Sequence, residues 1–147
     1  MNLRDELNLK TGFSVLEHEA ILNVYFTASV MKKRADEFFK SFGITDVQFN
    51  VLMLLNYQAV NNAGLSQAQL SRMMLVNRAN VTSLVDRMEK ADLVKRTADP
   101  QDRRYNIIQM TVKGEKTFEK VEPLYTKMVK KVMRNIDTDQ QEELIKI

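Results

Sequence analysis

The chain has 147 residues, 44% of them hydrophobic and 28% charged, which is enough to bury the core of one domain. It has no cysteine, which excludes disulfides and thiol chemistry, and its single histidine, His18, makes a multi-histidine metal site or a histidine-dependent active site hard to build. We therefore expect a protein that is not an enzyme and holds no metal or cofactor. Only 4 glycines and 2 prolines interrupt it, which predicts a mainly α-helical fold. It lacks both an apolar run of roughly 20 residues and an N-terminal signal core, so we expect it to be cytoplasmic.

Two helices are predicted in the first part of the chain. Over residues 14–42, apolar residues recur every three or four positions, which predicts a long amphipathic helix ending near Gly43. Thr45 and Gln48 then have the spacing of a capping box, and they begin a second, buried helix that runs to about Tyr57.

A helix-turn-helix follows a turn at residues 61–64. Ser66 and Gln69 repeat the capping-box spacing ahead of a short helix that ends near Met74. Asn77 can cap the next helix, whose apolar positions follow the i, i+3, i+4, i+7 rule and are Val81, Leu84, Val85 and Met88. A short helix, a tight turn and a longer helix are the parts of this motif.

The rest of the chain predicts a hairpin and two helices. Residues 93–97 and 105–110 are short runs rich in Val, Ile, Thr and Tyr around a charged tip, which is typical of a β-hairpin. Thr111 begins a long helix, which Pro123 is expected to kink or loosen. Thr138, with Gln141 three residues later, predicts the cap of a last helix.

These elements predict a mainly α fold with a small β-hairpin wing, arranged as one domain with three regions. Residues 44–112 form a winged helix-turn-helix region. The N-terminal helix region, 1–43, and the C-terminal helices, 113–147, have apolar stripes that a small wing domain cannot fully cover, so both are expected to serve dimerisation.

Positive charge is concentrated in the second half of the chain. Residues 65–110 contain 8 Lys and Arg against 5 Asp and Glu, and residues 111–134 contain 7 against 3. This distribution suits a face that binds a polyanion such as DNA. Lysines on the solvent side of an ordinary helix explain the second of these segments equally well.

The second helix of the helix-turn-helix presents side chains suited to reading DNA. The major groove admits a helix whose N-terminal residues face the base edges, where Arg can bridge guanine, Asn can bridge adenine and an Ala methyl can meet a thymine methyl. An ordinary amphipathic helix can carry the same residue types. The helical periodicity points Ala79, Ser83, Asp86 and Lys90 directly away from the apolar face and places Asn80, Thr82 and Arg87 on its flanks. The residues predicted to contact DNA from this helix are Arg78, Ala79, Asn80, Thr82, Ser83 and Arg87.

Phosphate contacts are expected from the preceding helix and from the wing. The polar residues at the preceding helix either bind phosphate or only cap and solvate it, and they are Ser66, Gln67, Ser71 and Arg72. Arg103, together with Lys95 or Arg96, is a further candidate for neutralising phosphates.

The hairpin tip carries a more specific signal. Asp102 lies two residues before Arg104, close enough to hold its guanidinium in place for insertion into a narrow, A·T-rich minor groove. The alternative is an exposed ion pair that contributes about 0 to 1 kcal/mol.

In these segments the chain resembles the MarR family of transcriptional regulators. The matching segments are TDVQF at 45–49, LSQAQL at 65–70, NRANVTSLVDRME at 77–89, LVKR at 93–96, DPQDRR at 99–104 and TVKG at 111–114. The resemblance implies a homodimer that binds double-stranded DNA at an inverted repeat, usually as a repressor, and is often released by a small aromatic or anionic ligand. It also implies base-contact positions at Arg78, Asn80, Thr82 and Ser83, and a wing pair of Asp102 and Arg104.

The chain departs from two subgroups of that family. It lacks the reactive cysteine of members that sense oxidants, and it lacks the histidine and carboxylate clusters of members that sense zinc. The effector, if there is one, is therefore expected to be organic.

Two other functions compete with DNA binding. A winged helix can serve as a protein-interaction module, and a salt-dependent DNA shift would distinguish the two functions. A hydrolase built on Glu17, His18 and Glu19 is disfavoured, because neighbouring helix residues point about 100° apart. Phe38, Phe39 and Phe42 could line a ligand pocket, but an aromatic stripe at helical spacing is more often part of a core.

Overall fold

The structure, a computed structural model, describes residues 3–59, 63–99 and 106–147. The elements of the described residues are α1 (Leu3–Glu6), α2 (Leu16–Lys40), α3 (Asp46–Gln58), β1 (Leu65–Ser66), α4 (Gln67–Met73), α5 (Arg78–Lys90), β2 (Val94–Ala98), β3 (Asn106–Met110), α6 (Val112–Met133) and α7 (Thr138–Lys146). This mainly helical architecture with a small antiparallel sheet confirms the predicted fold class. The chain divides into two compact units, Met1–Asp46 and Val47–Ile147.

The first unit contains the predicted long helix. After α2, Gly43 adopts a φ of 72°, and the Gly43 N–H donates to the Lys40 carbonyl at 3.1 Å while the Ile44 N–H donates to the Phe39 carbonyl at 3.3 Å. This left-handed termination satisfies the last carbonyls of the helix, and it confirms that the helix ends near Gly43. The short helix α1 was not predicted.

The aromatic stripe of α2 packs against itself. The ring of Phe38 lies 5.0 Å from that of Phe39 and 5.1 Å from that of Phe42, measured between centroids, and Phe39 is buried. Edge-on and tilted contacts at this range are favourable between aromatic rings. Phe38 and Phe42 are half-buried, and the choice between a core and a ligand pocket for this stripe stays a prediction.

In the second unit, α3 to α6 and the sheet share one apolar core. The pattern of every third or fourth residue buried makes each helix amphipathic, and the fully buried residues include Phe49, Leu52, Leu70, Val81, Val85, Met88, Ile108 and Val121. The ring of Phe49 stacks on that of Phe118 with centroids 5.8 Å apart, which joins α3 to α6. The core therefore holds α5 by its apolar face and leaves its polar face outside.

The sheet has three antiparallel strands in the order β1-β3-β2. β2 and β3 form the predicted hairpin, with Val94 opposite Met110 and Ala98 opposite Asn106. The strand β1 was not predicted: Leu65 pairs with Ile108 just before the helix that Ser66 caps. Two residues leave no alternating pattern in the sequence, and the strand exists through this distant pairing.

Three of the helix caps test the predicted boundaries. Ser66 Oγ accepts from the Gln69 N–H at 3.2 Å and the Gln69 side chain accepts from the Ser66 N–H at 2.8 Å, which confirms the capping box of α4. Thr111 caps α6, as predicted. The cap of α7 is wrong by one residue, because the box consists of Asp137 and Gln140. The Asp137 carboxylate is the stronger acceptor, which leaves Thr138 as the first helical residue.

The beginning of α6 is joined to the end of α5. Thr111 donates from its hydroxyl to the Asp92 carbonyl at 2.6 Å and from its N–H to the Leu93 carbonyl at 3.1 Å, while Lys113 Nζ donates to the Ala91 carbonyl at 2.7 Å. The three carbonyls that accept these bonds belong to Ala91, Asp92 and Leu93, the residues that connect α5 to β2. α6 then continues through Pro123 as one helix, and the predicted kink there stays a prediction.

Candidate nucleic-acid interface

The turn between α4 and α5 has the geometry of a helix-turn-helix. After α4 the Leu75 N–H donates to the Arg72 carbonyl at 3.3 Å and the Val76 N–H donates to the Ser71 carbonyl at 3.1 Å, with Leu75 in the left-handed region at a φ of 54°. Asn77 then caps α5 by accepting from the Asn80 N–H at 2.9 Å. This turn confirms the predicted motif and the predicted start of α5.

The outer face of α5 carries the side chains predicted to read bases. Its inner face is buried through Val81, Leu84, Val85 and Met88, as the sequence pattern predicted. The six predicted contact residues of this helix are all exposed: Arg78, Ala79, Asn80, Thr82, Ser83 and Arg87.

Two of the contact side chains on α5 are held against the helix itself. Thr82 donates its hydroxyl proton to the Arg78 carbonyl at 3.0 Å, and Arg87 Nε donates to the Ser83 carbonyl at 3.2 Å. Thr82 can still accept a hydrogen bond, and Arg87 can still donate from its terminal nitrogens.

The predicted phosphate contacts on α4 differ in how available they are. Arg72 is exposed, whereas Ser66, Gln67 and Ser71 are half-buried. Ser71 donates its hydroxyl proton to the Val76 carbonyl at 2.5 Å, so this proton holds the turn together instead of pointing to solvent. Because phosphate oxygens only accept hydrogen bonds, the Ser71 proton is not available to one in this structure, whereas the exposed Arg72 can donate; both phosphate contacts stay predictions.

Of Lys95 and Arg96, the two alternatives predicted to neutralise a phosphate, Arg96 is paired within the protein. It is a half-buried residue of β2, and its guanidinium forms ion pairs with Asp86 and Glu89 of α5, each at 2.5 Å. It is therefore not free to neutralise a phosphate, and Lys95, which is exposed, is the remaining candidate of the two. A signal for this contact is present in the sequence, since Asp86 and Glu89 share a helix face and only three residues separate α5 from β2.

The pKa of Arg96 is shifted by two opposing effects. Burial lowers the pKa, but hydrogen bonds and charge attraction from Asp86 and Glu89 outweigh burial, so the net shift is upward. The guanidinium therefore stays charged over the whole physiological pH range.

The predicted wing tip lies outside the described residues. Asp102, Arg103 and Arg104 fall between β2 and β3, whose pairing is described up to Ala98 and Asn106. The proposed hold of Asp102 on Arg104 stays a prediction.

The residues considered for enzyme chemistry lie on α2. His18 is exposed, and its ring meets that of Phe13 at 5.8 Å between centroids. Within the residues that the structure describes, no three His, Asp or Glu side chains are grouped so as to hold a metal ion. Among the residues that the structure describes, no helix is both long enough and apolar enough to cross a membrane.

A short helix, a tight turn, a capped amphipathic helix and an antiparallel hairpin together define a winged helix-turn-helix protein, a fold that commonly binds DNA. A sequence model described as MarR family matches residues 42–104. The transcriptional regulator YsmB of Bacillus subtilis is 32% identical over 108 residues, which cover 72% of this chain and 71% of YsmB. The chain belongs to the MarR family of winged-helix transcriptional regulators.

Other relatives differ in the direction of regulation that their names give. The transcriptional activatory protein BadR of Rhodopseudomonas palustris is 32% identical over 104 residues, which cover 71% of this chain and 59% of BadR. The transcriptional repressor YetL of Bacillus subtilis is 25% identical over 129 residues, which cover 88% of this chain and 76% of YetL.

Solved structures share the fold at lower identity. AbsC, a MarR family regulator from Streptomyces coelicolor, has a TM-score of 0.79 at 20% identity, covering 92% of each chain. MepR of S. aureus in complex with DNA has a TM-score of 0.74 at 23% identity, covering 82% of this chain and 85% of that one. Relatives and structural neighbours are thus transcriptional regulators, in agreement with the prediction that this chain is not an enzyme.

Proposed function

We propose that this protein binds an inverted-repeat operator in double-stranded DNA as a homodimer and represses transcription from it. The observation that carries the proposal is the exposed, polar N-terminal half of α5, where Arg78 and Asn80 stand beside a properly capped helix start. An Arg and an Asn at this position match the bidentate readout of guanine and adenine. Arg72 and Lys95 supply exposed positive charge for the phosphate backbone.

The dimer is supported by apolar side chains that remain exposed in both compact units. On α2, Leu16 is 79% exposed and Val24 and Tyr25 are also exposed, while at the other end of the chain Ile145 on α7 is 83% exposed. Exposed apolar surface of this extent is typical of an interface between chains. A second copy covering these side chains would produce a dimer with two-fold symmetry. Such a dimer matches an inverted repeat, with its two α5 helices about 34 to 36 Å apart.

Sedimentation at micromolar concentration tests the dimer. We expect a single species at twice the chain mass, and replacing Val24 and Tyr25 with Ser should shift it toward the monomer. A wild-type monomer that binds one half-site as tightly as the full repeat would contradict the dimer and leave DNA binding intact.

Repression is the direction that we propose, because a dimer occupying a repeat that overlaps a promoter excludes polymerase by sterics alone. The name of YetL supports it, whereas that of BadR points to activation. Transcription in vitro from a promoter that overlaps the operator should fall as the protein is added, and an increase would reverse the assignment. A small aromatic or organic anionic ligand that restores transcription would identify the effector class.

Binding-site selection from random duplexes tests the central proposal. We expect the selected sequences to contain an inverted repeat whose half-sites are centred about 10 to 10.5 base pairs apart, or a multiple of that distance. The variant Asn80→Ala should select a repeat that is degenerate at one base pair in each half-site. If the wild-type protein enriches no sequence and its weak binding is equally weak on every duplex, specific recognition is wrong.

A protein-interaction module is the second candidate, and one observation favours it. Beside the start of α5 lies a small apolar patch formed by Met73, Leu75 and Val76, which are all exposed. A protein partner would cover such a patch, and binding to it would depend little on salt. DNA binding predicts instead an affinity that falls steeply between 50 and 200 mM salt.

A further inference from the structure

Arg96 joins β2, in the hairpin of the wing, to α5 through three hydrogen bonds. Its Nη1 donates to Glu89 Oε2 and its Nη2 to Asp86 Oδ1, each at 2.5 Å, and its backbone N–H donates to Glu89 Oε1 at 3.1 Å. The side chain is 21% exposed, which is less than that of either carboxylate. One residue of β2 thus holds two residues of α5 at once.

The two carboxylates lie on a side of α5 that DNA would approach. Arg78, Thr82 and Asp86 follow each other at intervals of four residues, so they form one stripe along the helix. Asp86 is therefore two turns, about 12 Å, along this stripe from Arg78. Without a cation beside them, Asp86 and Glu89 would oppose the approach of phosphates, because like charges repel over about 8 to 10 Å at ordinary ionic strength.

We propose that Arg96 is a positioning residue for DNA binding, which masks the charges of Asp86 and Glu89 and fixes β2 against α5. The proposal rests on the proposed function, and it gives Arg96 a role without contact to DNA. The planar guanidinium suits this role, because its fork can meet two carboxylates at once, whereas the ammonium of a lysine is a single point of charge.

A mutant cycle on operator affinity tests the proposal. The four proteins are the wild type, Arg96→Gln, the pair Asp86→Asn with Glu89→Gln, and the combination of all three changes. We expect Arg96→Gln to weaken binding to the selected operator by about tenfold or more at low salt, because two carboxylates become unpaired. The pair of acid changes should strengthen binding several-fold more in the Arg96→Gln background than in the wild type.

The cycle separates masking from a direct phosphate contact. The acid changes remove the same two negative charges in both backgrounds, so long-range attraction to DNA contributes equally and only the contact with Arg96 contributes to the difference. If Arg96 neutralised a phosphate instead, the acid changes would strengthen binding by the same factor in both backgrounds. That equality would overturn the proposal.

Lys32 on α2 offers a matched control away from α4, α5 and the sheet. It bridges Asp36 at 2.5 Å and Asp46 at 3.3 Å within the first compact unit, so Lys32→Gln also leaves two carboxylates without their cation. We expect this variant to change operator affinity by less than about threefold, and an effect as large as that of Arg96→Gln would overturn the specific role of Arg96. Arg96→Lys should restore part of the affinity lost in Arg96→Gln.

The stability of each variant is measured in parallel, so that a purely structural role can be recognised. Titration with excess operator gives the concentration of active protein for each variant. Affinities are then calculated from that concentration. If Arg96→Gln lowers the unfolding temperature but leaves the affinity of the folded protein unchanged, Arg96 is structural only. If the wild type itself fails to bind any operator, the proposed function is wrong together with this inference, whereas wild-type binding without coupling contradicts this inference alone.

Discussion

Leu75 stands at a backbone position that favours glycine, and replacing it should stabilise the protein. Its φ of 54° lies in the left-handed region, where the Cβ of an L-residue costs about 1 to 2 kcal/mol. The side chain is 91% exposed, so burial returns almost nothing of that cost. Gly43 occupies the equivalent position after α2 with a φ of 72° and has no Cβ.

The expected gain follows from two opposing contributions. Leu75→Gly relieves about 1 to 2 kcal/mol of strain, and it gives back about 0.4 to 1 kcal/mol because glycine has more freedom in the unfolded chain. The net expectation is a stabilisation of about 0.5 to 1 kcal/mol. Urea unfolding followed by circular dichroism would measure it as a higher midpoint with an unchanged slope, at one fixed protein concentration because the proposed dimerisation would contribute to stability.

Two further variants test whether backbone strain at position 75 is the cause of the expected stabilisation. Leu75→Ala keeps the Cβ and its strain, so it should lie within about 0.5 kcal/mol of the wild type. Asp92→Gly, at the corresponding position after α5 with a φ of 57°, should gain less, because Asp tolerates this region better than Leu. The reasoning would be refuted if Leu75→Ala stabilised as much as Leu75→Gly, or if Leu75→Gly unfolded at a lower urea concentration than the wild type.

Four more expectations concern packing and DNA contact. Gly114→Ala should destabilise by about 1 to 3 kcal/mol in urea unfolding, because an added Cβ would lie 2.0 Å from the Leu93 carbonyl oxygen, whereas Gly12→Ala, with open space around it, should change little. In DNA titrations at several salt concentrations, Arg72→Ala should weaken all sequences alike and lower the salt slope by about one per protomer, while Asn80→Ala should cost about 1 to 3 kcal/mol on the preferred operator only. Equal losses for Asn80→Ala on specific and scrambled duplexes would contradict base readout. Arg104→Ala should weaken operators with A·T-rich flanks more than those with G·C-rich flanks, and equal losses would indicate a plain phosphate contact.

The elements that the sequence predicted correctly are those encoded by neighbouring residues. Ser66 with Gln69, and Asn77 before the apolar positions of α5, are signals that fit within one or two helical turns, so the helix-turn-helix could be located without knowing the fold. The exposed face of α5 follows from the same periodicity. Its six predicted contact residues are exposed for that reason.

One element was missed because it depends on a residue that is far away in the sequence. β1 has two residues and depends on Ile108, more than forty positions away. The ion pairs of Arg96 are a different case, because Glu89 and Asp86 lie only seven and ten positions before it, and the short connection from α5 to β2 is the signal that was not used. The cap of α7 is a third case, since Asp137 and Thr138 are both good caps and the choice between them is a small difference in hydrogen-bond strength.

The joint between α5 and α6 has a consequence for how the protein could respond to a signal. Thr111 and Lys113 bond to three successive carbonyls, those of Ala91, Asp92 and Leu93, so the end of one helix and the start of the next move as one body. A rotation of α6 therefore turns α5 with it and changes the direction in which Arg78 and Asn80 point. If α5 reads bases as proposed, an event that tilts α6, at any place along its 22 residues, would change the orientation of Arg78 and Asn80 relative to the base pairs.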